Sequence, residues 1–544
     1  MEFLKKYAVL IFIIVLASGL RLFNLADFPS GLNADEASLG YNAYSLLQTG
    51  KDEYGIPWPL TFKSFGDYKP GLYVYLTIPF IATFGLNELS VRLPSAILGI
   101  GTVLLVYFLA LEIFQKKRTA LLTSLLLAIS PWHLHFSRGG WETNVATFFI
   151  VLGVLLFIKG LSKPLLIFWS LVAFLLSMYT YQSPRLIVPV LVCVLTVVYA
   201  KRIVSSLKKI SVKVRLMLFL LLLILSMPLI LQFTSSTATA RFEGLSFVSD
   251  PGPGLRTNEL RSDHQKGDQL ARLMHNKIVV YGSSFLGHYL DHFSPKFLFV
   301  EGDPIIRNKV PEIGQFYKLE LVVLIIGLTV LIRSRLGHGK LIFIWIMVAP
   351  LASAMTYQTP HALRSLNMVI PLTLLVGLGF DTLINWSKVR WKKIALGLIL
   401  IVLVFEVFHY LESYYGHYSK RYPLAFEYGF KEMVEKLNKY EGSYEKVVIT
   451  DKYDQPYILL LFFKGYDPAK YQPQANLSTR DKFNFGTVRN FGKYEFRSFD
   501  KGEASTSKGV LYIGTDQEVS ENNVIDRVDF PSGKPAFLFM GNRM

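Results

Sequence analysis

The 544-residue sequence carries 57 Lys and Arg against 40 Asp and Glu, a net charge of +17, yet only 18% of it is charged and 51% is hydrophobic. A soluble chain has about 25% charged residues, and apolar runs of roughly 20 residues recur through the first three-quarters, so the composition is that of a membrane protein and excludes one soluble core. The basic residues stand in short clusters between apolar runs rather than on one face, which excludes nucleic acid as the expected partner. Cys193 is the single cysteine and lies within an apolar run, so no intramolecular disulfide is available.

The first segment, "MEFLKKYAVLIFIIVLASGLRLF", starts basic like a signal peptide, but its apolar stretch is too long and "SGLRLF" is a poor cleavage site. It is expected to stay as a first membrane helix. Further spans are expected over 92 to 114, 119 to 135, 143 to 159, 164 to 181, 184 to 200, 214 to 233, 317 to 333, 340 to 357, 366 to 386 and 394 to 411, which with 7 to 25 makes about 11. With a cytoplasmic N-terminus, the clusters Lys5-Lys6, Lys116-Lys117-Arg118, Lys159 with Lys163, Lys201 to Arg215, Arg333 to Lys340 and Lys388 to Lys393 all fall inside. Asp35, Glu36, Asp52, Glu53, Asp67, Glu88, Glu142, Asp291, Glu301 and Asp303 fall outside. The chemistry is therefore expected on the extracytoplasmic face of the plasma membrane.

The segment 72 to 86, "LYVYLTIPFIATFGL", is too short to span and reads as interfacial. Two long outer loops, 26 to 91 and 234 to 316, can roof one end of the bundle. From about 412 the pattern changes: "YEKVVITD" and "KGVLYIGT" read as buried strands and "FEYGFKEMVEKLNKYEG" as an amphipathic helix. The expected architecture is a polytopic α-helical membrane domain, 1–411, followed by a small extracytoplasmic α/β domain, 412–544.

Three outer clusters carry polar chemistry. Asp35-Glu36 opens "EASLGYNAYSLLQTG", where Asn33 or Asp35 can cap a helix and acids suit its positive end. Adjacent helical residues point about 100° apart, so at most one of the pair serves as a base. "FGDYKPGLYVYL" places Asp67, Tyr68 and Lys69 before the interfacial segment, where the lysine either snorkels or clamps a phosphate. "SPWHLHFSRGGWETN" holds His133, His135, Arg138 and Glu142; the histidine spacing argues against a metal site, and Trp132 and Trp141 read as interface-belt residues. Arg307 and Arg364 also fall at the outer level, where guanidinium forks suit phosphate. No Walker loop, GxSxG elbow or HExxH is present, so the donor must arrive already activated, as a lipid phosphate does.

With "NADEASLGYNAYSLLQTG", "YKPGLYVYL", "NELSVRLPSAILG" and "FSRGGWETN" in hand, the sequence resembles the GT-C type, polyprenyl-phosphate-sugar-dependent glycosyltransferases. The similarity is to the protein O-mannosyltransferase and lipid A aminoarabinose transferase group, family 39. The resemblance implies an inverting transfer of a sugar to an acceptor hydroxyl on protein, lipid or glycan. It implies Asp35 as catalytic base, Glu142 as a second acid, and Lys69 with Arg364 near the donor phosphate. Arg138 and Arg307 are further cations for that phosphate, and Glu36, Asp67 and Tyr68 are supporting residues. Tyr68 stands where the aminoarabinose transferases usually have an acid. No cofactor follows with certainty; a divalent cation, used by GT-C enzymes with carboxylate pairs, stays open. The expected partners are the lipid-linked donor, the hydroxyl-bearing acceptor and membrane lipids.

Two rivals share the layout. An oligosaccharyltransferase-like enzyme would differ in acceptor and show a WWD-like motif, which is missing here. A transporter or flippase of lipid-linked sugars would place acids near the midplane, whereas Asp381 is the one clear acid within an expected span.

Overall fold

The computed structural model describes residues 2–233, 251–264, 269–334, 337–386, 390–479, 486–520 and 524–541. A helix occupies each of the expected spans. Among the described residues, five helices are long and apolar enough to cross a membrane: Glu88–Phe114, Glu142–Gly160, Val212–Gln232, Leu366–Trp386 and Arg390–Arg421. Two bent pairs raise this to seven: Lys117–Ile129 with Pro131–Ser137 (57°) and Pro184–Val198 with Ala200–Leu207 (83°). The interfacial segment forms Leu72–Phe84, a 13-residue helix about 20 Å long at 1.5 Å per residue, short of a hydrocarbon core of about 30 Å.

The chain packs as two compact units, the first comprising Met1–Leu20, Leu98–Phe136 and Thr143–Phe408. Here Glu320–Arg333 packs against Val369–Trp386, which also packs against Lys117–Ile129. Small residues permit the approach: a Cβ on Gly327 would collide with the Leu375 carbonyl, and one on Gly379 with the Val323 carbonyl. Asp381 is buried on the 369–386 helix and pairs with Arg118, which also donates to Asn385 at 2.6 Å. That acid thus has an ion-pair partner in the helix bundle. In contrast, the most apolar windows of 212–232 and 390–421 are only 6% buried, as suits helices solvated by lipid.

The second unit comprises Arg21–Ile97, Ser137–Glu142 and His409–Met544. Its main sheet contains β3 (Lys446–Ile449), β4 (Asn490–Phe491), β5 (Tyr494–Phe496), β6 (Val510–Gly514), β7 (Asp526–Asp529) and β8 (Pro535–Gly541), in the order β4-β5-β3-β6-β8-β7. Strand β3 runs parallel to both β5 and β6, and the outer pairs are antiparallel. Because side chains alternate along a strand, Val447 and Ile449 face one core with the helices Phe430–Tyr440 and Pro456–Lys464, while Val448 faces another with Ala504 of Lys501–Thr506. The first of these cores also takes in Leu32, Ala34, Ala37, Tyr41 and Val91, so the loop after the first helix packs into the sheet domain. A Cβ on Gly40 would lie 2.5 Å from Phe462 and 2.6 Å from Val91, which is why the loop helix needs glycine there. The long segment 234–316 lies in the first unit, where its described part includes the helices Pro251–Ser262, Gln269–Met274 and Lys277–Asp291.

Candidate active site

Helix Ala34–Thr49 starts with a capping box: Asn33 Oδ1 accepts from Glu36 N at 2.9 Å, and Glu36 Oε2 accepts from Asn33 N at 3.3 Å. Gly50, at φ 69°, ends the helix in the left-handed conformation that favours glycine. Asn33 is therefore the cap and Glu36 closes the box. Asp35 is turned to another side by the helical step.

On that side Asp35 forms an ion pair with Lys69. The lysine stands on a hairpin in which β1 (Thr61–Ser64) pairs with β2 (Asp67–Pro70), Phe62 opposite Lys69. Phe65 and Gly66 close it with φ of 53° and 85°, the two left-handed positions of a type I′ turn, whose twist matches the strands. The Phe65 ring lies 5.4 Å from Lys69 Nζ and edge-on to Tyr457 at 6.1 Å. The Asp67 carboxylate accepts from Tyr68 N at 2.7 Å, steadying the turn, and Tyr68 pairs with Lys63 in the register. Burial alone would lower the Lys69 pKa, but Asp35 first, then Glu142 and Asp67, outweigh it and hold the ammonium above its ordinary value. Lys69 is thus a firmly charged cation beside three acids. Glu142 is buried at the start of the Glu142–Gly160 helix.

Glu36 has a different environment. Fully buried, it accepts from Arg92 Nε at 3.0 Å, Gly140 N at 2.7 Å and Asn33 Nδ2 at 3.1 Å. Arg92 Nη1 reaches the carbonyls of Leu25, Ala26 and Pro29 at 3.0 to 3.1 Å, and Nη2 reaches Gly31. The pair ties the loop, the Asp35 helix and the turn leading to Glu142 into one frame.

Arg138 is also buried. Nη2 donates to Phe23 O at 2.8 Å and Phe28 O at 3.2 Å, and the guanidinium lies over the rings of Tyr414 and Tyr415 at 5.3 and 5.2 Å. Its geometry is that of an anchor for the 23–28 turn. Arg307 and Arg364 belong to the first unit, where their charges, after burial itself, push neighbouring His361 well below its usual pKa and keep it neutral. The contact of His361 with Asp303 is accordingly no ion pair. Buried Asp303 instead accepts from Ile305 N at 2.7 Å, Ala362 N at 2.6 Å and Asn308 Nδ2 at 3.0 Å. Trp132 and Trp141 are buried rather than at the belt: Trp132 Nε1 donates to Ala362 O at 3.1 Å, and its ring meets Phe297 and Phe316 edge-on. Among the described residues no group of His, Cys, Asp and Glu is arranged to hold a metal ion.

Two participants escaped the sequence reading. Arg92 lies in the apolar helix Glu88–Phe114, where an arginine signals a buried partner. Glu53 is fully buried: Oε1 accepts from Asn42 Nδ2 at 2.9 Å, and Oε2 is buried with no partner among the described residues. Burial pushes its carboxyl up to about 8. Between the ordinary glutamate range and that value, native Glu53 keeps a proton that the unfolded chain has lost, so stability falls as pH rises through this window. Glu53→Gln is expected to flatten that slope, melting roughly 2 to 4 °C above wild type at pH 9 and little above it at pH 5. Melting curves in nanodiscs at both pH values check this; parallel slopes would show that Glu53 titrates normally.

The sequence pattern of the family described as Dolichyl-phosphate-mannose-protein mannosyltransferase (PMT) matches residues 60–238. An uncharacterized protein of Aquifex aeolicus (strain VF5) is 32% identical over 123 residues, 22% of this chain and 25% of that one. YkcB of Bacillus subtilis (strain 168), which bears a mannosyltransferase name, is 35% identical over 108 residues, 20% of this chain and 15% of its own. The matches thus span a quarter or less of these relatives. Over nearly the whole length, the fold is similar to ArnT from Cupriavidus metallidurans, solved in the apo state and with undecaprenyl phosphate: TM-score 0.55, 98% of each chain covered, 12% and 11% identity. Oligosaccharyltransferase AglB from Archaeoglobus fulgidus, in complex with an inhibitory peptide and a dolichol-phosphate, gives 0.52 at 14% identity over 85% of this chain and 64% of that one. At such identities the likeness is one of fold, and the chain is an integral membrane protein of GT-C architecture with a C-terminal sheet domain.

Proposed function

We propose that this protein is an inverting glycosyltransferase that moves a sugar from a polyprenyl-phosphate donor to an acceptor hydroxyl on the extracytoplasmic face of the plasma membrane. In this reading residues 1–411 form the catalytic domain and 412–544 a soluble extracytoplasmic α/β domain. The observation that carries it is the Asp35–Lys69 pair, an acid and a charged lysine brought together on an outer loop of a GT-C fold. The match to a mannosyltransferase family supports the same class of chemistry.

The donor phosphate competes for Lys69. As the ammonium turns to the phosphate, Asp35 loses its counter-charge and becomes available to accept the proton of the acceptor hydroxyl. The acceptor oxygen bonds to the anomeric carbon, the bond from that carbon to the phosphate oxygen breaks, and the leaving polyprenyl phosphate takes the electron pair. Lys69 then stabilises charge that grows on the phosphate in the transition state. Glu142 maintains the field that keeps Lys69 protonated, and Arg364 and Arg307 are the further cations proposed for the donor. Arg138 holds the loop.

The test incubates purified protein in nanodiscs with a panel of polyprenyl-phosphate sugars and measures released polyprenyl phosphate. Sugar-dependent release is expected from at least one donor. ATP-independent movement of intact donor across a vesicle membrane, with no release, would favour the flippase reading instead.

A further inference from the structure

We propose that the crevice between the C-terminal ends of β3 and β6 binds the acceptor as a neutral, hydroxyl-rich glycan; this rests on the glycosyltransferase reading and names its acceptor class. The inference starts from topology. After β3 the chain forms the 456–464 helix on the face of Val447 and Ile449 and then reaches β5. After β5 it forms the 501–506 helix on the face of Val448 and arrives at β6, on the far side of β3. After β6 the chain places Val519 on the Val448 face, so the connections that leave the C-terminal ends of β3 and β6 go to opposite faces, the switch point at which open α/β sheets bind ligands.

The two loops that follow β3 and β6 are polar and ordered. Thr450 Oγ1 donates to Glu518 Oε1 at 3.0 Å and Lys452 Nζ to Gln517 Oε1 at 2.9 Å, so each loop holds the other. Buried Glu518 also accepts from Thr515 N at 3.0 Å. Asp451 is fixed by Arg489 Nη1 at 2.7 Å and Ser498 Oγ at 2.6 Å. Asp516 and Gln517 remain exposed at the rim.

Charge selects the ligand. The two cations, Lys452 and Arg489, already face an amide and a carboxylate, while Asp516 adds a carboxylate at the rim, so an anionic acceptor meets repulsion. Carboxylate and amide planes suit the paired hydroxyls of a sugar, accepting from one and donating to or accepting from the next.

The location suits transfer. Gln455, at the end of the β3 loop, donates through Nε2 to Gly486 O at 3.2 Å, and Gly486 N donates to Phe65 O at 2.9 Å. Phe65 is the turn residue whose ring carries Lys69. The crevice thus connects through two residues to the hairpin of the candidate active site. Gln455 Oε1, buried and with no partner among the described residues, is an unused acceptor on that path.

The test uses the full chain in nanodiscs and saturation-transfer NMR with mannotetraose, with tetragalacturonate as the anionic control. Wild type is expected to saturate mannotetraose signals and not those of tetragalacturonate. The double variant D516A/Q517A should weaken mannotetraose binding about tenfold, the loss of one or two hydrogen bonds, while E435A, on an exposed helix face, leaves it unchanged. Unaltered binding in D516A/Q517A, or a preference for tetragalacturonate, would overturn the proposal. Wild type that binds mannotetraose but releases polyprenyl phosphate from no donor would instead defeat the transferase reading and leave the crevice assignment standing.

Discussion

Asp35→Asn is expected to lower turnover by about 10² to 10⁴, the contribution of a general base, with donor affinity changed little. The substitution keeps the shape of the side chain and its reach to Lys69, removing only the charge that accepts a proton. Lys69 also loses the first of the acids that raise its pKa, with Glu142 and Asp67 remaining. Those two acids still oppose the lowering by burial, so the variant tests the base apart from the phosphate clamp. Single-turnover release of polyprenyl phosphate reports the chemical step, and donor titration in the same nanodiscs reports binding. Release within twofold of wild type would remove Asp35 from the mechanism. A tenfold loss of donor binding at unchanged turnover would assign it to the clamp.

Glu36→Leu is expected to cost about 3 to 5 kcal/mol, the penalty for leaving one member of a buried ion pair uncompensated. Arg92 would keep its contacts with the Leu25, Ala26 and Pro29 carbonyls but lose the carboxylate that neutralises it. Gly140 N would lose its acceptor, and with it the tie that positions Glu142 two residues on. The apparent melting temperature should fall by roughly 3 to 4 °C, and turnover with it. Glu36→Leu combined with Arg92→Met, which removes both charges, should recover part of the stability but little of the turnover, since the Gly140 tie is still missing. Such a split separates positioning from simple stability. A single variant that melts within 1 °C of wild type would show the pair to be dispensable.

The legible part of the molecule is the part governed by local rules. Hydropathy marked the helical stretches because each apolar run must pair its backbone within itself before it enters lipid. The short segment before Glu88 was separable by length alone. In the tail, "YEKVVITD" and "KGVLYIGT" now stand as β3 and β6, because hydrophobic alternation and turn chemistry act over a few residues. The chemistry-bearing residues could be shortlisted on the same basis, since an acid at a helix start and a lysine before a membrane segment are visible without a fold.

What the sequence determined by itself was therefore the class of molecule, the membrane helices, the mixed tail and a shortlist of acids and cations. Only the tertiary structure decided which of them meet. Asp35 reaches Lys69 across 34 residues, Glu36 reaches Arg92 across 56 and Gly140 across 104. It also decided that the loop after the first helix shares a core with the C-terminal sheet and that buried Arg138 meets the Phe23 and Phe28 carbonyls. Such pairings follow no sequence period: they arise when a hairpin register, a helix cap and a packed core act together, and only closure of long loops brings their partners within reach.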